Sequence, residues 1–122
     1  MIIVGNKIYQ KVWCSDSMLW AKQHLDTAPD GAVFIADILG HARGRQGRTW
    51  QFVPGQLPIT ILLKPNFKNL CKADLEFRLN QLTMALALGI LDPLKFYGVA
   101  LKWPNDFVLN HKKVGTQKIE GL

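Results

Sequence analysis

Residues Ala32 to Ile38, AVFIADI, form a short apolar run rich in β-branched side chains, and the chain passes from it directly into the glycine- and arginine-rich stretch Gly40 to Trp50. A run of this length and composition reads as a buried strand. The stretch after it cannot be a helix interior, because glycine there is costly and the apolar spacing of a helix is missing. Such a strand has to be covered, so it commits the chain to layers of strand and helix.

The flanking segments fit that requirement. Ile8 to Trp13 alternates loosely and reads as a strand, and Asp16 can cap a helix whose Met18, Ala21 and Leu25 share a face. Pro29-Asp30-Gly31 is a turn, and Ile59 to Lys64 is a further strand set between Pro58 and Pro65. Leu75, Leu79, Leu82, Leu86 and Ile90 recur at helical spacing and predict a helix with an apolar core-facing side, stopped by Pro93. Val99 to Trp103 and Phe107 to Leu109 read as strands about Pro104-Asn105-Asp106, and Asn110-His111 can turn the chain back through Lys113-Val114. The predicted fold is α/β of the α+β type: a mixed, largely antiparallel sheet covered by helices. With 122 residues and neither a repeat nor a linker, residues 1–122 are expected to form a single domain.

Charge and cysteine usage narrow the function classes. Lys plus Arg number 15 against 9 Asp plus Glu, a net charge of +6, which points to phosphate-bearing partners or a merely basic surface. Cys14 and Cys71 are too few for a disulfide framework and fit a reducing, cytoplasmic setting as plain structural thiols. The N-terminus lacks a signal-peptide pattern and no apolar run is long enough to span a bilayer, so a membrane role is not expected. His24, His41 and His111 have no metal-ligand spacing, and no metal site is assigned to the chain.

Two segments carry candidate chemistry. Between His41 and Trp50, the residues Arg43, Gly44, Arg45, Gly47 and Arg48 put three guanidinium forks beside glycines, with no acid among them. Glycine lets backbone N–H groups approach an anion, each fork matches carboxylate or phosphate oxygens, and Trp50 offers a face for stacking a purine. The same composition also suits a basic loop that touches RNA nonspecifically. In the second segment, Lys102 lies on a strand among Ala100, Leu101 and Trp103, where partial desolvation would strengthen its attraction for an anion. Asn105 and Asp106 either join that site or only shape the turn.

Arg43-Gly44-Arg45-Gln46-Gly47-Arg48-Thr49-Trp50, followed about fifty residues later by Lys102-Trp103-Pro104-Asn105-Asp106 and then Lys112-Lys113-Val114-Gly115, resembles the catalytic domain of biotin protein ligases, within the biotin/lipoate ligase superfamily. The resemblance runs from about Tyr9 to Gly115. It implies an ATP- and Mg²⁺-dependent enzyme whose substrate biotin attacks the α-phosphate to give biotinyl-AMP, which a lysine on the biotin carrier domain of a biotin-dependent carboxylase then attacks. By position it implies that Arg43, Arg45 and Arg48 hold carboxylate and phosphate oxygens or order the loop, with Gly44 and Gly47 giving it shape. It also implies that Trp50 packs near the adenine, that Lys102 meets the oxygens between biotin and phosphate, and that Asn105 and Asp106 shape the site. Ser17 matches the serine that meets the biotin ureido group. Arg43 and Lys102 are the residues assigned to catalysis, through charge neutralisation and alignment, with no covalent nucleophile.

Departures from the family pattern carry expectations of their own. Met18-Leu19 replaces Thr-Asn, Gly40 replaces a glutamine and Ala42 a glycine, so polar partners of the biotin head are missing, at roughly 1–3 kcal/mol for each one lost. Free biotin is therefore expected to bind weakly compared with an adenylated ligand. The family continues beyond its Lys-Val-Gly segment, so the chain reads as the first, truncated part of that domain. The isolated chain is expected to transfer little biotin, and an exposed sheet edge could pair two copies. A noncatalytic ligand- or carrier-binding remnant is the alternative. A basic nucleic-acid-binding module ranks behind both, since aromatic and basic residues do not interleave along any strand.

Overall fold

Asp16 opens the first helix as expected from its short acceptor side chain, whose carboxylate takes the backbone N–H groups of Met18 and Leu19. This computed structural model describes residues 3–120, with the side chains of Ala42 and Arg45 left outside the description. Strand β1 (Ile8–Cys14), helix α1 (Ser17–Lys22) and strand β2 (Ala32–Leu39) form a crossover unit in which β1 and β2 run parallel. Two short strands, β3 (Ala42–Arg43) and β4 (Thr49–Trp50), pair with each other, and β5 (Ile59–Leu62) runs antiparallel to β2 on its other side. Helix α2 (Lys72–Leu94) leads through a 3-10 turn to an antiparallel meander of β6 (Ala100–Lys102), β7 (Asp106–Leu109) and β8 (Lys112–Thr116). The fold is the mixed, largely antiparallel α+β type predicted, with its strands in three sheets and β1–β2 as the one parallel pair among the described residues.

The chain divides into two compact units, Met1–Asn66 and Phe67–Leu122. In the first, Phe34 lies at the centre of β2 and is completely buried. Tyr9 stacks on it at 4.6 Å between ring centroids, and Trp20 meets it edge-on at 5.1 Å. Ala21, Ala28 and Ala32 let α1 and the following turn come close to the sheet, and Leu25 and Leu62 close the cluster. α1 is shorter than the apolar spacing suggested, since it ends at Lys22 and Leu25 reaches the core from the turn beyond. That turn is tied down by Lys64, whose Nζ donates to the carbonyls of Leu25 and Ala28, both at 2.6 Å.

In the second unit the two-residue turn Asn110-His111 has both φ angles positive, 50° and 63°, as a tight hairpin requires, with Leu109 paired to Lys112. Phe107 is buried, and Gly115 lies where a Cβ would touch its ring at 3.5 Å. Two expectations for α2 are corrected. Pro93 does not stop the helix but lies inside its last turn. The chain leaves helical geometry at Gly98, whose φ of 81° is the left-handed stop. The leucine face is also not a closed core, for Leu75 and Ile90 are 36% and 37% exposed and Ala87 is the buried residue of the helix.

Candidate functional site

The arginine hairpin starts where β2 ends and is tied to the β1–α1 junction. Gly40 N–H donates to the Cys14 carbonyl at 2.8 Å, and His41 N–H to the Ser15 carbonyl at 2.6 Å. Ala42 then pairs with Trp50 and Arg43 with Thr49, while Gly44 N–H closes the loop on the Arg48 carbonyl at 2.7 Å. Two glycines are needed here for different reasons. Gly47 has a φ of 72°, a left-handed backbone that disfavours a Cβ, and Gly44 lies where a Cβ would come within 3.3 Å of the Trp50 ring.

Between this hairpin and the start of α1 lies a cleft of about 400 Å³ lined by Ser15, Asp16, Leu19, Gly40, His41, Arg43, Thr49 and Trp50. A cation, an aromatic face and an apolar side chain thus share one concavity, which suits a ligand with an anionic part and a flat or apolar part. The Arg43 guanidinium lies 2.7 Å from the Asp16 carboxylate through Nη2 and Oδ2. Ser17, the first residue of α1, is 7% exposed, and its hydroxyl accepts a 2.9 Å hydrogen bond from Thr60 on β5. The same Thr60 hydroxyl lies 3.8 Å from the Met18 sulfur. At Gly40 a side chain would start 3.1 Å from the Trp13 ring, so the missing glutamine is a position already crowded by a tryptophan.

The second unit holds the other motif. Lys102 ends β6 opposite Asp106 and is exposed, which corrects the expectation of partial desolvation, since the three-residue strand leaves Trp103 at 69% exposure beside it. Asn105 and Asp106 both brace the meander. Asn105 donates to the Gln117 carbonyl at 3.1 Å, and Asp106 Oδ1 accepts from the Thr116 hydroxyl at 2.8 Å and lies 3.0 Å from Lys113 Nζ. Burial alone would raise the Asp106 carboxyl, but the Thr116 hydroxyl, Lys113 and Lys102 outweigh it and hold the group below the usual carboxylate range.

A carboxylate depressed in the folded chain contributes stability above its unfolded value of about 3.9, and that contribution is lost as pH falls through the folded value. Asp106→Asn is therefore expected to lower the unfolding temperature at neutral pH, by the equivalent of about 1 kcal/mol or less, and to narrow its gap to wild type in strong acid. Thermal unfolding followed by circular dichroism across that range checks it, and a gap independent of pH would contradict it.

Arg43, Gly44 and Trp50 thus meet at one cleft or in its hairpin, with Gly47 and the backbone of Arg48 in the same loop. Ser17 lies at the base of α1 rather than in the cleft lining, and the side chain of Arg45 lies outside the described residues. Lys102, Asn105 and Asp106 belong to the second unit. Sequence reasoning missed four participants: Asp16 as the partner of Arg43, Thr60 as the partner of Ser17, and Ser15 and Thr49 in the lining. Asp16 was legible as a cap, but nothing local signals a carboxylate with a second, distant bond. Among the described residues no group of three His, Cys, Asp or Glu could hold a metal. His24 packs among Tyr9, Trp20 and Phe34, and the Cys71 sulfur caps α2 by accepting the Asp74 N–H.

Comparison with known proteins adds an independent line. The family model described as the biotin/lipoate A/B protein ligase family matches residues 9–121. The chain is 29% identical over 110 residues to the bifunctional ligase/repressor BirA of Bacillus spizizenii, covering 87% of this chain and 32% of that protein. It is 40% identical over 77 residues to the biotin–(acetyl-CoA-carboxylase) ligase of Paracoccus denitrificans, covering 59% of this chain and 29% of that one. Among solved structures, the biotin protein ligase of Leishmania major in complex with biotinyl-5-AMP superposes with a TM-score of 0.66 at 26% identity, over 95% of this chain and 52% of that one. The chain thus spans about a third of these curated relatives and about half of that structure.

Proposed function

The chain belongs to the biotin/lipoate A/B protein ligase family, and from that premise we propose that it is a biotin protein ligase-type domain whose cleft binds biotin and ATP and holds the adenylate they form. The observation that carries this reading is the sharing of one cleft by Arg43 and Trp50, beside the apolar Leu19. In the first step a biotin carboxylate oxygen bonds to the α-phosphorus of ATP and pyrophosphate leaves. In the second the amine of a carrier-protein lysine bonds to the biotinyl carbonyl carbon and AMP leaves. Both steps place negative charge on oxygens beside the α-phosphate, where a preorganised guanidinium lowers the barrier. Arg43 is assigned to those oxygens on its place in the cleft, and Arg45, Arg48 and Lys102 on their motifs. Gly44 and Gly47 shape the loop, and Trp50 is assigned to the adenine.

Ser17 remains assigned to the biotin head, with its hydroxyl shared by Thr60. Asn105 and Asp106 are assigned to the site through the meander they brace. Among the described residues, Asp106 Oδ1 is engaged by Thr116 and Lys113, and Asp16 by Arg43 and two amides, so neither is arranged as a Mg²⁺ ligand. An ion needed by the reaction would arrive on the phosphates of ATP. Residues 1–122 are read as one catalytic domain, supported by a family match that runs through both compact units. The partner is a biotin carrier domain, the setting cytoplasmic, and pairing of two copies through an exposed strand edge belongs to the same reading. Among the described residues no helix is long and apolar enough to cross a membrane.

Calorimetric titration with a nonhydrolysable biotinyl-adenylate mimic tests the reading. Saturable one-to-one binding that survives moderate salt is expected, with free biotin much weaker because Met18, Leu19 and Gly40 supply no polar side chain to its head. Binding to an oligonucleotide that collapses with salt, with none to the mimic, would favour the nucleic-acid module instead.

A further inference from the structure

The cleft contains a carboxylate of its own, and its two oxygens do different work. Asp16 Oδ1 accepts the N–H groups of Met18 and Leu19, at 3.0 and 3.2 Å, while Oδ2 lies 2.7 Å from Arg43 Nη2. The Asp16 side chain is 16% exposed and that of Arg43 is 48% exposed. One partner is therefore fixed to the backbone and the other reaches towards solvent from a two-residue strand. An arginine on such a strand has many rotamers available, and a charge-assisted bond to an immobile acceptor removes most of them. The hairpin entrance is held to the same junction by the Gly40 and His41 amides, so backbone and side chain are located from one place.

We infer that Asp16 is a positioning residue for the adenylate site: it orders the Arg43 guanidinium on the cleft wall before any ligand arrives. This rests on the reading of the cleft as the ligand site. It has a sign that simple electrostatics does not share. Removing a negative charge beside an anion site should strengthen anion binding by Coulomb's law, whereas losing a positioning carboxylate should weaken it.

Asp16→Asn separates the two, because asparagine caps a helix as well as aspartate does but cannot form the ion pair. Asp16→Ser, which also caps, serves as a second variant. In the ligand-free protein, amide hydrogen exchange over residues 42–50 is expected to quicken about tenfold in Asp16→Asn, with the global unfolding midpoint little changed. The biotinyl-adenylate mimic is expected to bind about tenfold more weakly, whereas in an Arg43→Ala background, where Asp16 has no cation to position, the same substitution is expected to cause no further loss and to recover some binding by removing the uncompensated carboxylate. Unchanged exchange in both variants, tighter binding of the mimic, or an equal loss in the Arg43→Ala background would each overturn the inference. Faster exchange in a protein whose wild type ignores the mimic would uphold the positioning role and reject the functional reading on which its purpose rests.

Discussion

Arg43→Ala is expected to weaken binding of the biotinyl-adenylate mimic at least tenfold, about 1.4 kcal/mol. A hydrogen bond to a charged group contributes about 1.5–3 kcal/mol, so loss of one good guanidinium contact is enough to reach that figure. A second effect has the same sign, since the substitution strips Asp16 of its cation and leaves a mostly covered carboxylate in the cleft. The two backbone amides that Asp16 also holds should keep the fold intact, so the variant is expected to unfold close to the wild-type temperature. Lys102→Ala is expected to cost a similar factor on the strength of its motif. Titration of the three proteins under one salt condition reads both effects, and equal affinities throughout would sink the assignment.

Phe34→Ala is expected to lower the unfolding free energy of the first unit by about 3–5 kcal/mol, the range for deleting a buried aromatic ring. Phe34 is fully buried and touches the rings of Tyr9, Trp20 and His24, and its small alanine neighbours cannot fill the space it would leave. Small domains are stable by about 5–15 kcal/mol, so the loss is a large share of the total. Urea denaturation followed by tryptophan fluorescence measures it. A loss under about 1 kcal/mol would mean that this ring does not organise the core.

What could be read ahead of the structure was what local chemistry decides. Asp16 as a cap, Ala32 to Ile38 as a strand, Asn110-His111 as a tight turn and the glycines of the arginine hairpin each follow from local conformational or hydrogen-bonding preference, although the strand is covered only towards its start and Ile38 is exposed. What escaped depends on partners far along the chain. The parallel pairing of β1 with β2 is a tertiary choice, and so is the second bond of Asp16 to Arg43. The spacing of leucines on α2 correctly gave a helix but not how much of its face is covered, because periodicity reports a pattern and not its occupant. Lys102 was misjudged for a related reason: apolar sequence neighbours alternate across a strand and need not shield the residue between them. The arginine and lysine motifs were legible as family signatures, and the geometry adds that the arginine hairpin is anchored at the mouth of a cleft.

The central claim is that the cleft between the start of α1 and the arginine hairpin is where an adenylated carboxylate binds. Hydrogen exchange by mass spectrometry, on the 122-residue chain with and without the biotinyl-adenylate mimic, tests it most directly. Protection is expected to concentrate in residues 15–19 and 40–50, with none over the Asn110-His111 turn. Binding of the mimic that leaves both of those segments unchanged would contradict the claim.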